Sequence, residues 1–269
     1  MRGLLSLSDL MNLSQSHGMD TLALTDVNGM WGFIRFVQHC KDAGIRPIAG
    51  TNLITENDDV ILLAENQYGY ENMCRAVSAV HDNSKQSITD ILEKQLAGLF
   101  VLAHKESTLN KLINIIPYTH LFLELRPGNQ ESCMQKLAKK LKLEMVVTGD
   151  VYFRSQSDHD AHVTLRAIEK NTTLKQLDIA ECKTNHHWFR SEAEMVKLFP
   201  NSLDGLNNSQ YLADRCKTDW SFINTIFPGL SLKETHISNK KLKDKVYAGA
   251  KIRYGEVGEM IRQRIEYEL

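Results

Sequence analysis

Apolar residues fall into two rhythms along this chain. Through about residue 150, short runs rich in Val, Ile, Leu and Thr alternate with longer stretches whose apolar positions recur every three or four residues. That pattern predicts an α/β domain with crossover helices between strands. Leu7-Ser8-Asp9 opens a predicted helix to about Ser16, stopped by His17-Gly18. A strand over 21–25 ends in Asp26, and after the Asn28-Gly29 turn comes a helix over 31–43 with Gly44 as its C-cap. Strands follow over 45–50 and 60–64, then a helix entered through the loop 66–70 and running to Val80. Helical pattern at 85–97, a buried strand at 98–104, a strand at 121–125, a Lys-rich helix at 133–142 and a strand at 145–150 complete the series. From about Ser155 helices dominate, at 158–169, 191–199, 203–215 and 239–268, with a linker containing Pro228-Gly229 predicted over 219–235. The organisation expected is an α/β body over 1–155, a helical completion over 156–218, and a linker plus helix over 219–269.

Strand ends matter because α/β folds build their sites there. Asp26, His104, Glu124 and Asp150 all stand at or near the C-terminal ends of predicted strands.

Lys and Arg (32) nearly balance Asp and Glu (33), for a net charge of −1, so no global positive field draws in nucleic acid or an anionic membrane. The exception is local: Lys240, Lys241, Lys243, Lys245, Lys251 and Arg253 face a single acid, Asp244, in a stretch that reads either as a solvated helix face or as a track for a phosphate backbone. No apolar run approaches the roughly 18 residues of a membrane span, and a cytoplasmic chain with no membrane partner is expected. The five cysteines are odd in number, widely spaced and form no CxxC pair, which speaks against a disulfide framework or a thiolate zinc site. His159 and His162, at i and i+3 beside Asp158, have a spacing that can bind metal, but helix capping and packing explain them as well. His186-His187 reads as a loop edge, and no P-loop, dinucleotide fingerprint or Ser-His-Asp order stands out.

Several blocks in order carry a family resemblance. Residues 18–26 and 44–50, then Leu62-Leu63-Ala64-Glu65-Asn66-Gln67-Tyr68-Gly69-Tyr70, then 98–102, Val146-Val147-Thr148-Gly149-Asp150-Val151-Tyr152, and Arg190-Ser191-Glu192-Ala193-Glu194-Met195 with Leu198-Phe199-Pro200 resemble the PHP (polymerase and histidinol phosphatase) domain at the front of bacterial family C DNA polymerases. Those polymerases are the DNA polymerase III alpha subunits and their error-prone relatives. The end, 264–269, is similar to the helix leading into the polymerase palm. The resemblance implies a distorted (β/α)7 PHP-type barrel followed by a helical segment, with metal ions at the strand ends and, in active members, phosphoester hydrolysis or 3′–5′ exonuclease activity. It also implies as partners the remainder of a polymerase, replication or repair proteins, and DNA.

Measured against that family, most of the metal motif is gone. The chain begins at Met1-Arg2-Gly3, where the family's first strand with its His-x-His would already have ended, so a barrel lacking its first strand is expected. Thr25-Asp26-Val27 stands for Thr-Asp-His, Asn52 for an acid, Asp59 for a His, and Tyr152 for the His of Asp-x-His. Arg126-Pro127 follows Glu124 where a His is common. Asp150, His104 and Asp26 remain as metal-remnant positions, each with a plain alternative: a turn cap for Asp150 and Asp26, a hydrogen-bonded strand end for His104. Three scattered groups do not make a multinuclear cluster. The expectation is a structural, noncatalytic PHP-like domain without cofactor, or with Mn or Zn at a degenerate site. The competing readings are a phosphoesterase with a reduced site at His104 and Asp150, and a nucleic-acid module using Lys240, Lys241 and Lys243.

Overall fold

The computed structural model describes residues 3–83, 86–218 and 235–269. The chain forms two compact units, Met1–Trp220 and Ser221–Leu269.

In the first unit the predicted strands assemble in sequence order into one curled, half-barrel sheet: β1 (Thr21–Val27), β2 (Arg46–Ile54), β3 (Asp59–Ala64), β4 (Leu99–Ala103), β5 (Leu121–Leu125) and β6 (Met145–Val147). β1 runs parallel to β2, and β4, β5 and β6 are mutually parallel. β3 is antiparallel to both its neighbours, because residues 55–58 return the chain without a helix. Crossover helices therefore do not separate every strand, as the alternating pattern predicts; β2 and β3 form a hairpin closed by the Thr55 N–H to Asp58 carbonyl bond (2.9 Å). Reversal of β3 brings its first residue, Asp59, to the end of the sheet where the other strands finish.

Side-chain alternation sorts the sheet into two faces. Leu53, Val60, Leu62, Val101, Leu121, Leu123 and Val147 pack beneath the helices in the larger core, whereas Ile48, Ile61, Leu63, Phe100, Leu102, Phe122 and Val146 form a second cluster with Leu212 and Cys216. The helices of the first core are α1 (Leu7–Ser16), α2 (Phe33–Ala43), α3 (Gln67–Asp82), α4 (Ile88–Lys94), α5 (Glu106–Leu112) and α6 (Glu131–Leu141). Their ends follow capping chemistry: Ser6 and Asp9 form a reciprocal box at α1, Asn66 accepts the Gly69 N–H at α3, and Gly44 closes α2 with φ +71°. α5 has no counterpart among the predicted helices.

Beyond β6 lie α7 (His159–Glu169), α8 (Glu192–Leu198) and α9 (Leu203–Arg215). α9 is fixed to the sheet by Arg46, whose guanidinium donates to the Ala213 and Cys216 carbonyls (2.7 and 2.9 Å), and by Arg215 Nε donating to Glu65 (3.0 Å).

The second unit holds α10 (Thr235–Tyr254) and α11 (Glu259–Glu268), joined side to side by Lys243 Nζ and the Tyr247 hydroxyl, both on Glu266. The single helix predicted over 239–268 is thus two, since Gly255 takes φ +75° and ends α10. The predicted linker over 219–235 lies, apart from Thr235, outside the described residues. No helix among the described residues is long and apolar enough to cross a membrane.

The tightest backbone contact lies at the start of α3. A Cβ on Gly69 would sit 1.8 Å from the Gly98 carbonyl oxygen, whereas one on Gly44 meets nothing within 4 Å. Gly69→Ala is expected to cost roughly 3 kcal/mol or more through overpacking, and Gly44→Ala about 1 kcal/mol through its left-handed φ alone. Urea unfolding followed by circular dichroism checks the ratio, and equal losses would refute the close approach.

Candidate functional site

Register alone gathers the polar strand ends. Val60 pairs with Ala103, Ala103 with Leu123 and Leu125 with Val147, so Asp59, His104, Glu124, Arg126 and Thr148 stand side by side just at or beyond the paired residues. Glu124 lies on the same face as Phe122, between Leu123 and Leu125, which point into the helix-side core. It is 1 % exposed. Burial pushes its carboxyl above the usual range; the Arg126 charge and the Thr148 hydroxyl, which donates to Oε1 at 2.6 Å, pull the other way without cancelling the shift.

Arg126 occupies the centre. Its guanidinium is buried and lies 3.2 Å from Asp150 Oδ2, 3.6 Å from Glu124 Oε2 and 3.7 Å from Asp59 Oδ2, with Nη2 2.8 Å from His104 Nε2. One cation thereby reaches groups from four successive strand ends. Nη2 lies within reach of both His104 ring nitrogens, and since a guanidinium only donates, a neutral imidazole receives it through its one unprotonated nitrogen. Burial first, and the Arg126 charge second, push the His104 pKa down to about 4.

Asp150 anchors the other side. It adopts φ +41°, an uncommon conformation for a residue other than glycine. Oδ2 receives Lys183 Nζ at 2.7 Å and lies 3.1 Å from His187 Nδ1, which is also 3.0 Å from the Asp150 carbonyl. Burial alone would raise this carboxyl, but His187, Lys183 and Arg126 together hold it far below the usual carboxylate range. Lys183 Nζ stands 4.7 Å over the Tyr152 ring, and its backbone N–H donates to His162 Nε2 at 3.0 Å.

Of the positions singled out in the sequence, His104 and Asp150 meet at Arg126. Asp26 serves elsewhere: its Oδ2 accepts the Gly32 N–H (2.8 Å) at the approach to α2, and its carbonyl accepts the Thr51 hydroxyl. Asn52 is buried, and its Oδ1 has no hydrogen-bond partner among the described residues. His159 and His162 both pack on Phe153, and His159 Nε2 lies 3.1 Å from the Lys183 carbonyl. Lys240 and Lys241 are exposed on α10, while Lys243 is held by Glu266 (2.8 Å). Sequence reasoning missed Lys183, read His187 as a loop edge, and took Arg126 only as the loss of a histidine. An arginine just past the strand and two residues after its buried glutamate was the available signal.

This arrangement fits a metal poorly. Every carboxylate in it faces an N–H donor or a fixed cation, and among the described residues no group of three or more His, Cys, Asp or Glu side chains is disposed to hold an ion. What it does chemically is neutralise buried anions. Removing one partner from such a network is costly, about 3–5 kcal/mol.

A pH dependence follows from His104. Its folded pKa lies below the unfolded value of 6.5, so between about pH 6.5 and 4 the unfolded chain binds a proton that the folded chain does not. Stability must fall as pH falls through that window, by roughly 1–3 kcal/mol. Urea midpoints compared at both ends of the window should show His104→Gln losing less stability than the wild type; parallel losses would refute this assignment.

Among curated proteins, the error-prone DNA polymerase of Symbiobacterium thermophilum is 26 % identical over 98 % of this chain and 28 % of its own length. The DNA polymerase III alpha subunits of Pasteurella multocida and Bacillus subtilis are 28 % and 26 % identical, over 80 % and 98 % of this chain and 21 % and 26 % of their own lengths. The chain thus spans about a quarter of the length of these relatives. One solved structure, of a Bifidobacterium adolescentis protein named as a metal-dependent phosphoesterase, gives a TM-score of 0.36 at 13 % identity over 55 % of this chain and 83 % of its own, too weak a likeness to place one residue on another. The family model described as PHP domain matches residues 1–153, the segment that carries all six strands and runs through Asp150. With more than half of its length so matched, the chain belongs to the PHP domain family.

Proposed function

We propose that this chain is a noncatalytic, structural PHP module of a DNA polymerase III alpha-type or error-prone family C polymerase, acting in replication or repair synthesis in the cytoplasm. The observation that carries the reading is Arg126, a cation built into the chain and surrounded by the side chains that would otherwise be free to bind metal. Hydrolysis of a phosphodiester by metal-ion catalysis needs an open coordination position where water can ionise. A guanidinium offers neither, since it does not deprotonate and has no acceptor. The likeness to polymerases along nearly the whole chain supports the polymerase context.

In that role the α/β unit braces the rest of the polymerase, and α10 and α11 lead toward the palm. The exposed Lys240 and Lys241 then offer contacts to the DNA backbone, which Lys243, paired with Glu266, shares less freely.

The deciding measurement is elemental analysis of the purified chain after equilibration with Mn2+ and Zn2+ and desalting, alongside hydrolysis of a simple phosphodiester. Metal far below one ion per chain and no metal-stimulated hydrolysis are expected. Two or more tightly held ions, with hydrolysis abolished by Asp150→Ala, would instead establish a phosphoesterase.

A further inference from the structure

We propose that Arg126 is the resident cation of the strand-end centre, doing through a covalent tether what a bound ion would do there, so that a small diffusible cation can replace its guanidinium once it is removed. The inference rests on the noncatalytic reading of the site and says how that site is held together.

The charges require a cation. Asp59, Glu124 and Asp150 bring three carboxylates to one place, and Glu124 and Asp150 are buried there. Of these three carboxylates, Lys183 pairs with Asp150 alone among the described residues. Asp59 and Glu124 have Arg126 as their ion-pairing cation among the described residues, apart from the Glu124–His104 approach at 3.9 Å. Deleting Arg126 therefore leaves two carboxylates, one of them fully buried, without positive charge.

The geometry fixes what can refill the space. Arg126 projects from just beyond β5, and its three nitrogens divide their partners: Nε faces Glu124, Nη1 faces Asp150, and Nη2 faces Asp59 and His104. Truncation to alanine opens a void shaped by a planar cation and lined with carboxylate oxygens and an imidazole nitrogen. Guanidinium ion matches the lost group in shape and charge. Mn2+ and Zn2+ match the donor atoms, oxygen and imidazole nitrogen. In the intact chain neither has room, because the same donors already face N–H groups.

The test is thermal unfolding of the full chain, wild type and Arg126→Ala, in millimolar guanidinium chloride, Mn2+ or Zn2+ against sodium chloride at matched ionic strength. Arg126→Ala is expected to melt roughly 10 °C below the wild type, and guanidinium or either metal to recover about half of that loss, with no rise in the wild type. Adding Asp150→Asn to Arg126→Ala should abolish the recovery. Where Arg126→Ala yields no folded chain, refolding yield from urea is read in the same salts, and recovery confined to guanidinium or metal supports the proposal. Equal behaviour in every salt overturns it, as does recovery that persists without the Asp150 carboxylate. Metal uptake by the wild-type chain overturns this inference and the noncatalytic reading together, whereas failure of rescue beside a metal-free wild type overturns this inference alone.

Discussion

A buried carboxylate that keeps its charge must have a cation beside it, and the strand-end architecture here depends on how that demand is met. Moving a carboxylate from water into the protein interior costs several kcal/mol even after relaxation. Three carboxylates converge at the strand ends, and Glu124 is enclosed by its own sheet. Arg126, just past β5, lies within 3.7 Å of all three. Its planar fork matters as much as its charge: a lysine ammonium is a point charge on a flexible stem and cannot present three directed nitrogens to partners on three sides.

Several other features follow from that contact. Asp150 accepts a left-handed backbone angle, and the stabilisation of its carboxylate by three N–H donors offsets that strain. Lys183 and His187, from the loop after α7, meet the same carboxylate. The centre thus ties the helical segment after β6 back onto the sheet. Lys183 does so twice, once through Nζ on Asp150 and once through its backbone N–H on His162. The donors and acceptors of the centre are consumed by one another.

How much of this was legible in the sequence depends on the range of the interaction. All six strands are largely apolar runs of three to nine residues bounded by turn residues, which is local information, and each appears where the pattern places it. The reversal of β3 was less visible, since a short turn and a short crossover look alike in composition. The break at Gly255 was hidden because helix pattern resumes on both sides of it. At the site, His104 and Asp150 were legible because strand-end polar residues in an α/β sheet converge. Lys183 and His187 were not, because they lie 33 and 37 residues from Asp150 along the chain, and no spacing rule connects a loop lysine to a strand end.

Arg126 is the instructive case. Judged position by position, an arginine where a histidine is common is a lost ligand, and the remaining acids become remnants. Judged by charge, the same change is a substitution of one cation by another. Without the guanidinium, Asp59 and Glu124 would share a low-dielectric enclosure with no arginine or lysine paired to them among the described residues. The acids survive at these positions because the guanidinium still needs partners, and the guanidinium is tolerated at 5 % exposure because the acids are there. Each half of the centre accounts for the other. The centre is an ionic core in which Arg126, Lys183 and His187 meet the buried carboxylates.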